Sequence, residues 1–130
     1  MTRRRRAGQR ALTALRVILA LEFASGGLMK LGGVESMVRL FADIGAGQWL
    51  RYVVGVLEVA GAAGLLIPLV AGVAAAGLAV LMTGALVTRA VVLDGIPVIE
   101  VVFLVSTAAI AYDRRAEIGS LATRALRRPF

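Results

Sequence analysis

The sequence predicts an all-α protein: a polytopic membrane four-helix bundle with a short amphipathic interfacial helix between spans one and two. Three observations predict it. Residues 59–88 form an unbroken uncharged run, which as one straight helix would be about 45 Å long against a hydrocarbon core of roughly 30 Å. Pro68 and Gly72 interrupt that run near its middle, so it reads as two halves of a hairpin turning at 67–72. Hydrophobic residues make up 59% of the 130 residues, more than a soluble domain of this size can bury. The basic residues, finally, gather in the tails: Arg3, Arg4, Arg5, Arg6 and Arg10 at one end, Arg114, Arg115, Arg124, Arg127 and Arg128 at the other. Basic flanks around an apolar core mark the cytoplasmic ends of membrane helices.

The first ten residues form a basic cytoplasmic tail. A cleaved signal peptide is the competing reading, with Arg3–Arg6 as its charged region and 17–21 as its apolar region. That apolar stretch is short, Glu22 breaks it, and no small-x-small site follows, so the segment is expected to remain as a span. Span one covers about 11–31. Arg16 lies near its cytoplasmic end and can snorkel, whereas Glu22 lies near the middle and Lys30 marks the far end. A central acid costs about 2.5–3.5 kcal/mol on insertion scales.

A polar stretch follows. In it Met37, Leu40, Phe41 and Ile44 recur at i, i+3, i+4, i+7, and Gly45 closes the pattern. That spacing predicts a short amphipathic helix lying along the outer interface. Trp49 and Tyr52 suit the aromatic belt at the start of span two, about 50–70. This span carries Glu58, with Arg51 one heptad earlier. Span three, about 72–88, has no charge. Span four, about 96–112, opens on Pro97, tolerated there because that position has no intrahelical N–H bond to lose, and carries Glu100 in its first turn. The tail 113–130 is basic, with Ile118, Leu121, Ala122 and Ala125 spaced for a short surface helix. Four spans put both tails on one side with ten basic residues, against Lys30, Arg39, Arg51 and Arg89 on the other, so both termini are expected in the cytoplasm of a bacterial-type inner membrane.

The net charge of +7 does not point to nucleic acid, because it sits in the tails and not along a groove. The lipid bilayer is the expected partner. There is no cysteine and no histidine. Disulfides, thiol cycling and the usual zinc, copper or haem ligands are thereby excluded, as are Ser/His/Asp and Cys/His catalytic sets. No intrinsic cofactor is expected; a redox role would borrow a partner's cofactor or act on a diffusible molecule such as a quinone. Gly26–Gly27 and Gly32–Gly33 lack the strand-turn-helix context of a nucleotide fingerprint. Small residues are dense in the spans. Ala60 with Gly64 and Gly72 with Ala76 are small-xxx-small pairs, and Gly77 and Gly84 share a face. Tight packing within the bundle is the favoured use, homo-oligomer contact the other.

Glu22, Glu58 and Glu100 are the residues that demand explanation. Glu22 lies eight residues inside Lys30 and Glu58 seven inside Arg51, so both sit roughly 10–12 Å below the outer surface; Glu100 is about one turn in. Lys30, Arg51 and Arg89 end helices on that side and can reach inward. An isolated charge there is expensive, so the acids should face the interior and pair or be protonated. Buried ion pairs that set helix register are one reading. The other is a polar pocket open to the outside, for a proton, a quinone head group or a small polar ligand, built from Glu22, Lys30 and Glu58 with Arg89 and Glu100 at the rim. No catalytic or metal residue is predicted. Ser25, Thr83, Thr88 and Thr107 could add hydroxyls to it, although bonding to the i−4 carbonyl is the simpler use of each. Met29 and Met82 could line an apolar wall or fill core gaps.

The order of these residues resembles that of the DoxX-like family of small four-helix membrane proteins. The pieces that carry the likeness are Ser25-Gly-Gly-Leu-Met-Lys30-Leu-Gly, Asp43-Ile-Gly45, the Gly-x-x-Glu-x-x-Gly run around Glu58 up to Pro68, Leu81-Met-Thr-Gly84 to Thr88, and Asp94-Gly95-Ile-Pro97. Many relatives carry a histidine where this chain has Arg89, a permanent cation able to pair with Glu58 or Glu22. The resemblance implies an accessory membrane subunit of a redox or oxidative-stress-linked complex, with a membrane or cytoplasmic redox protein as partner and a quinone-like ligand. It implies no catalysis by this chain alone. A small proton-coupled transporter and a ligand-free assembly or scaffold protein are the rival readings.

Overall fold

The computed structural model describes residues 3–127, and among them the chain forms six α-helices and no strand. Helix α1 spans Arg3–Leu31, α2 Glu35–Ile44, α3 Trp49–Leu66, α4 Ala71–Val87, α5 Val98–Asp113 and α6 Arg115–Arg127. A π-helical turn, Thr88–Val92, prolongs α4. Three stretches are long and apolar enough to cross a membrane: α1, α3, and α4 with its π turn. Helix α5 has 16 residues and is the shortest of the four long helices.

Local chemistry explains where the helices stop. The uncharged run breaks between Leu66 and Ala71, where Pro68 occupies the turn and the Ile67 N–H bonds back to the Gly64 carbonyl at 3.1 Å. Gly45 ends α2 in the left-handed conformation, at φ 82°, and its N–H caps the Phe41 carbonyl; a residue without Cβ takes that shape at no steric cost. Helix α1 begins well before residue 11, because Arg and Ala are good helix formers and prolong the apolar segment into the basic tail. The basic C-terminal segment forms α6, as its apolar spacing predicts, and α6 turns back against α4 where Ile118 and Arg114 crowd Gly72.

Helix α1 lies along α3, α3 joins α4, and α4 lies along α5; α1 and α5 touch over only a short stretch. Glycine makes the first contact close. A Cβ on Gly27 would sit 2.8 Å from the Gly55 carbonyl oxygen, and one on Gly55 would sit 3.1 Å from the Gly27 oxygen. The core contains Leu19, Phe23, Leu65, Leu78, Met82 and Ile110, and Phe23 meets Phe103 of α5 at 5.3 Å between ring centroids. The outward faces are apolar as well: Ile18, Leu21, Leu66, Val91 and Val105 are all more than half exposed. Water does not wet so large an apolar surface without penalty, and lipid is the solvent it suits.

Three hydroxyls expected as either pocket groups or backbone partners take the backbone role. Thr83, Thr88 and Thr107 donate to the carbonyls of Ala79, Gly84 and Phe103 at 2.9, 2.8 and 2.8 Å. Arg16 is half-buried and does not reach freely outward; its Nη1 is buried with no hydrogen-bond partner among the described residues.

Candidate ligand pocket

At the end of the bundle opposite α6, the helices enclose a cavity of about 950 Å³. Helices α1, α3, α4 and α5 supply its walls, and α2 closes over it with Met37, Leu40, Phe41 and Ile44. The amphipathic helix therefore turns its apolar stripe onto the cavity, and Phe41 is buried. Expected as a short amphipathic helix, α2 covers the gap between the two helix pairs with its apolar side, which removes that side from solvent.

Glu22, Lys30, Glu58, Arg89 and Glu100 all line this one cavity. Deepest is the pair Lys30–Glu58, with Nζ 3.0 Å from Oε1 and 3.2 Å from Oε2. Its side chains are 15% and 6% exposed. It joins α1 to α3, and Gly26 makes room for it: a Cβ there would lie 3.1 Å from Glu58 Oε2. Such a pair in low dielectric holds only while both partners remain, since each alone would be an uncompensated buried charge.

The second pair is Arg89–Glu100, in which Nε donates to Oε1. The expectation that Arg89 would reach Glu58 or Glu22 is corrected here. Its position on the π turn and the fold of the following loop send it to α5 instead. The Gly95 N–H bonds to the Arg89 carbonyl at 2.8 Å, and a Cβ on Gly95 would lie 2.9 Å from Arg89 Cγ. The loop thus folds over the arginine stem, with Asp94 at φ 50° making the bend. π-helical turns recur at functional sites, and sequence periodicity gave no warning of this one.

Two further expectations change. Glu22 is exposed at the cavity's edge and has no ion-pair partner within 4.0 Å among the described residues; a position on α1 beside the gap to α5 leaves no cation within reach. Arg51, expected to reach inward from its helix end, does not line the cavity. It is buried, donates to the Lys30 carbonyl and to Gln48 Oε1 (2.8 Å), and lies 4.3 Å from the Tyr52 ring centroid. Gln48 in turn donates to the Val38 carbonyl at 2.9 Å. Arg51 is therefore a clamp: it satisfies the C-terminal carbonyl of α1 and ties α1, α2 and α3 together beside the site. Its spacing from Gln48 was the one available signal.

The rest of the lining is mainly apolar and aromatic, with Phe23, Met29, Phe41, Met82 and Phe103 prominent. Among the described residues, no group of three or more His, Cys, Asp or Glu side chains converges to hold a metal ion. The arrangement can bind an apolar body and present charged groups to a polar head.

Fold and site together define a small helical membrane-type protein with a mainly apolar cavity that carries charged side chains. The profile of the DoxX-like family matches residues 14–111, and the chain belongs to that family. Comparison with curated proteins and with solved structures gives no match.

Proposed function

We propose that this DoxX-like membrane protein is a ligand-binding accessory subunit of a redox or oxidative-stress-linked assembly in a bacterial-type inner membrane. Helices α1, α3, α4 and α5 cross the bilayer, with both termini in the cytoplasm on the strength of the basic tails. Local thinning and snorkelling flanks accommodate the shorter α5. The pocket then lies in the outer half and takes a small molecule with an apolar body and a polar head, a quinone-like one being the neutral candidate. Gly77 is exposed with open space beside it and lies outside the cavity lining, a position suited to a second copy of the chain or to a membrane partner.

The observation that carries this reading is the convergence of five charged residues from α1, α3, the π turn and α5 on one otherwise apolar cavity. A register-setting role needs ion pairs but no empty volume between them. The volume falls within the range of small-molecule sites.

The test is purification in mild detergent, followed by native mass spectrometry for retained small molecules and unbiased identification of co-purifying proteins. Retention by the wild type, lost in Lys30→Met/Glu58→Leu with the helical circular-dichroism signal intact, supports the pocket. No retained molecule, together with no thermal shift on adding a short-chain quinone, overturns it. Proton flux in liposomes that disappears in Glu58→Gln would replace it with the carrier reading.

A further inference from the structure

The charges around the cavity do not balance. Three carboxylates line it against two cations, and each cation is already engaged: Lys30 with Glu58, Arg89 with Glu100. Glu22 is left over. An ionised carboxylate facing an apolar cavity in a membrane is costly until something neutralises it. A small hard metal ion is a poor candidate, because it wants six or more oxygen ligands and the carboxylate stands apart from any such group. The surroundings favour an organic cation. Half-buried Phe103 lines the cavity, backed at 5.3 Å by the ring of the core residue Phe23, and aromatic faces attract desolvated cations.

The way in has the same character. Val98, Ile99 and Val102 of α5 line the cavity and are also exposed, as are Glu22 and Met29 of α1 and Val80 of α4, so the cavity is open on the side of the bundle, where the bilayer would lie. A ligand arriving there must dissolve in lipid and still carry charge. We propose that the pocket binds a lipophilic organic monocation, with Glu22 as its counter-ion and the aromatic wall holding its apolar body. The proposal rests on the pocket reading above and narrows it from amphiphiles in general to positively charged ones.

The experiment measures saturable binding to the full chain in nanodiscs of zwitterionic lipid, by equilibrium dialysis of three probes of similar bulk. They are tetraphenylphosphonium, neutral triphenylphosphine oxide and anionic tetraphenylborate. The cation should bind at least about tenfold more tightly than the neutral probe, and the anion should show no saturable binding. Glu22→Gln should weaken the cation about tenfold and leave the neutral probe unchanged, while Glu22→Asp, keeping the charge, should retain cation binding. The proposal is overturned if cation and neutral probe bind alike, or if Glu22→Gln leaves the cation's affinity intact; the pocket reading survives either result. If no probe binds, the proposal falls too, and retention of a native molecule by the purified wild type then decides the pocket separately.

Discussion

The two ends of the bundle are built from the same four long helices and packed on different principles. At the end that holds α6 and the α3–α4 turn, Leu65, Ala71, Ala75, Thr107 and Ile110 are essentially inaccessible. Small residues let the helices close there: a Cβ on Gly61 would overlap Leu78 at 2.6 Å, and one on Gly64 would meet Ala74 Cβ at 2.7 Å. At the opposite end α1 stays close to α3 through Gly27 and Gly55, and α4 stays with α5, but the two pairs separate around the cavity. There the links are two ion pairs, an arginine clamp and an amphipathic cover. Small-residue packing closes one end, whereas at the other each helix pair is joined internally by an ion pair and the cavity lies between the pairs.

Breaking the open end at its deepest link should have the largest effect. Lys30→Ala leaves Glu58 buried and unpaired, with an expected loss of about 3–5 kcal/mol, read as a lowered midpoint in detergent unfolding. Replacing both partners, in Lys30→Met/Glu58→Leu, should recover most of that loss. If the double variant is as unstable as the single one, the pair is not the link described here. Arg51→Met comes next. It removes a buried donor to the Lys30 carbonyl and to Gln48, at about 1.5–3 kcal/mol for hydrogen bonds from a charged group. Amide exchange should rise at the α1 C-terminus and in α2 and stay unchanged at the α3–α4 turn.

The closed end should respond to volume instead. Gly61→Ala forces a methyl against Leu78 and should cost about 1–3 kcal/mol by overpacking, with amide exchange in α2 at the open end unchanged. Equal stability of this variant and wild type would mean that the two ends are not packed differently. The smallest effect belongs to a glycine that touches nothing. Gly77→Ala, outside the cavity, meets open space and should gain up to about 1 kcal/mol from helix propensity, measured as a slight rise in the thermal midpoint. A loss instead, with altered mobility in native gels, would show that another chain covers this face.

Legibility from sequence also divides along this line. The hairpin break at Pro68, the close of α2 at Gly45 and the helical C-terminal segment were readable, because each depends on residues adjacent in the chain. Membership of the DoxX-like family was readable in the ordered motifs around Lys30, Glu58 and Asp94. The five charged residues could be placed at one end by counting along helices, and the structure gathers them around one cavity. Their partners could not be read. Helices α4 and α5 are apolar around almost their whole circumference, so periodicity does not say which face turns inward. Arg89 also sits on a π turn that shifts its direction relative to an α-helix. The apolar stripe of α2 was readable, but what it covers was not, and the clamp role of Arg51 was hidden because its partners, the Lys30 carbonyl and Gln48, are set by how α1 and α3 meet.

Taken alone, the sequence determined what the chain must dissolve in and roughly where its helices begin and end, since the cost of charge in lipid and the limits of Pro and Gly act locally. Tertiary packing brings Lys30 to Glu58 and Arg89 to Glu100 and leaves Glu22 without an ion-pair partner among the described residues. Those outcomes depend on how each helix is rotated against its neighbours, and small residues tens of positions away set that rotation by allowing or refusing close approach.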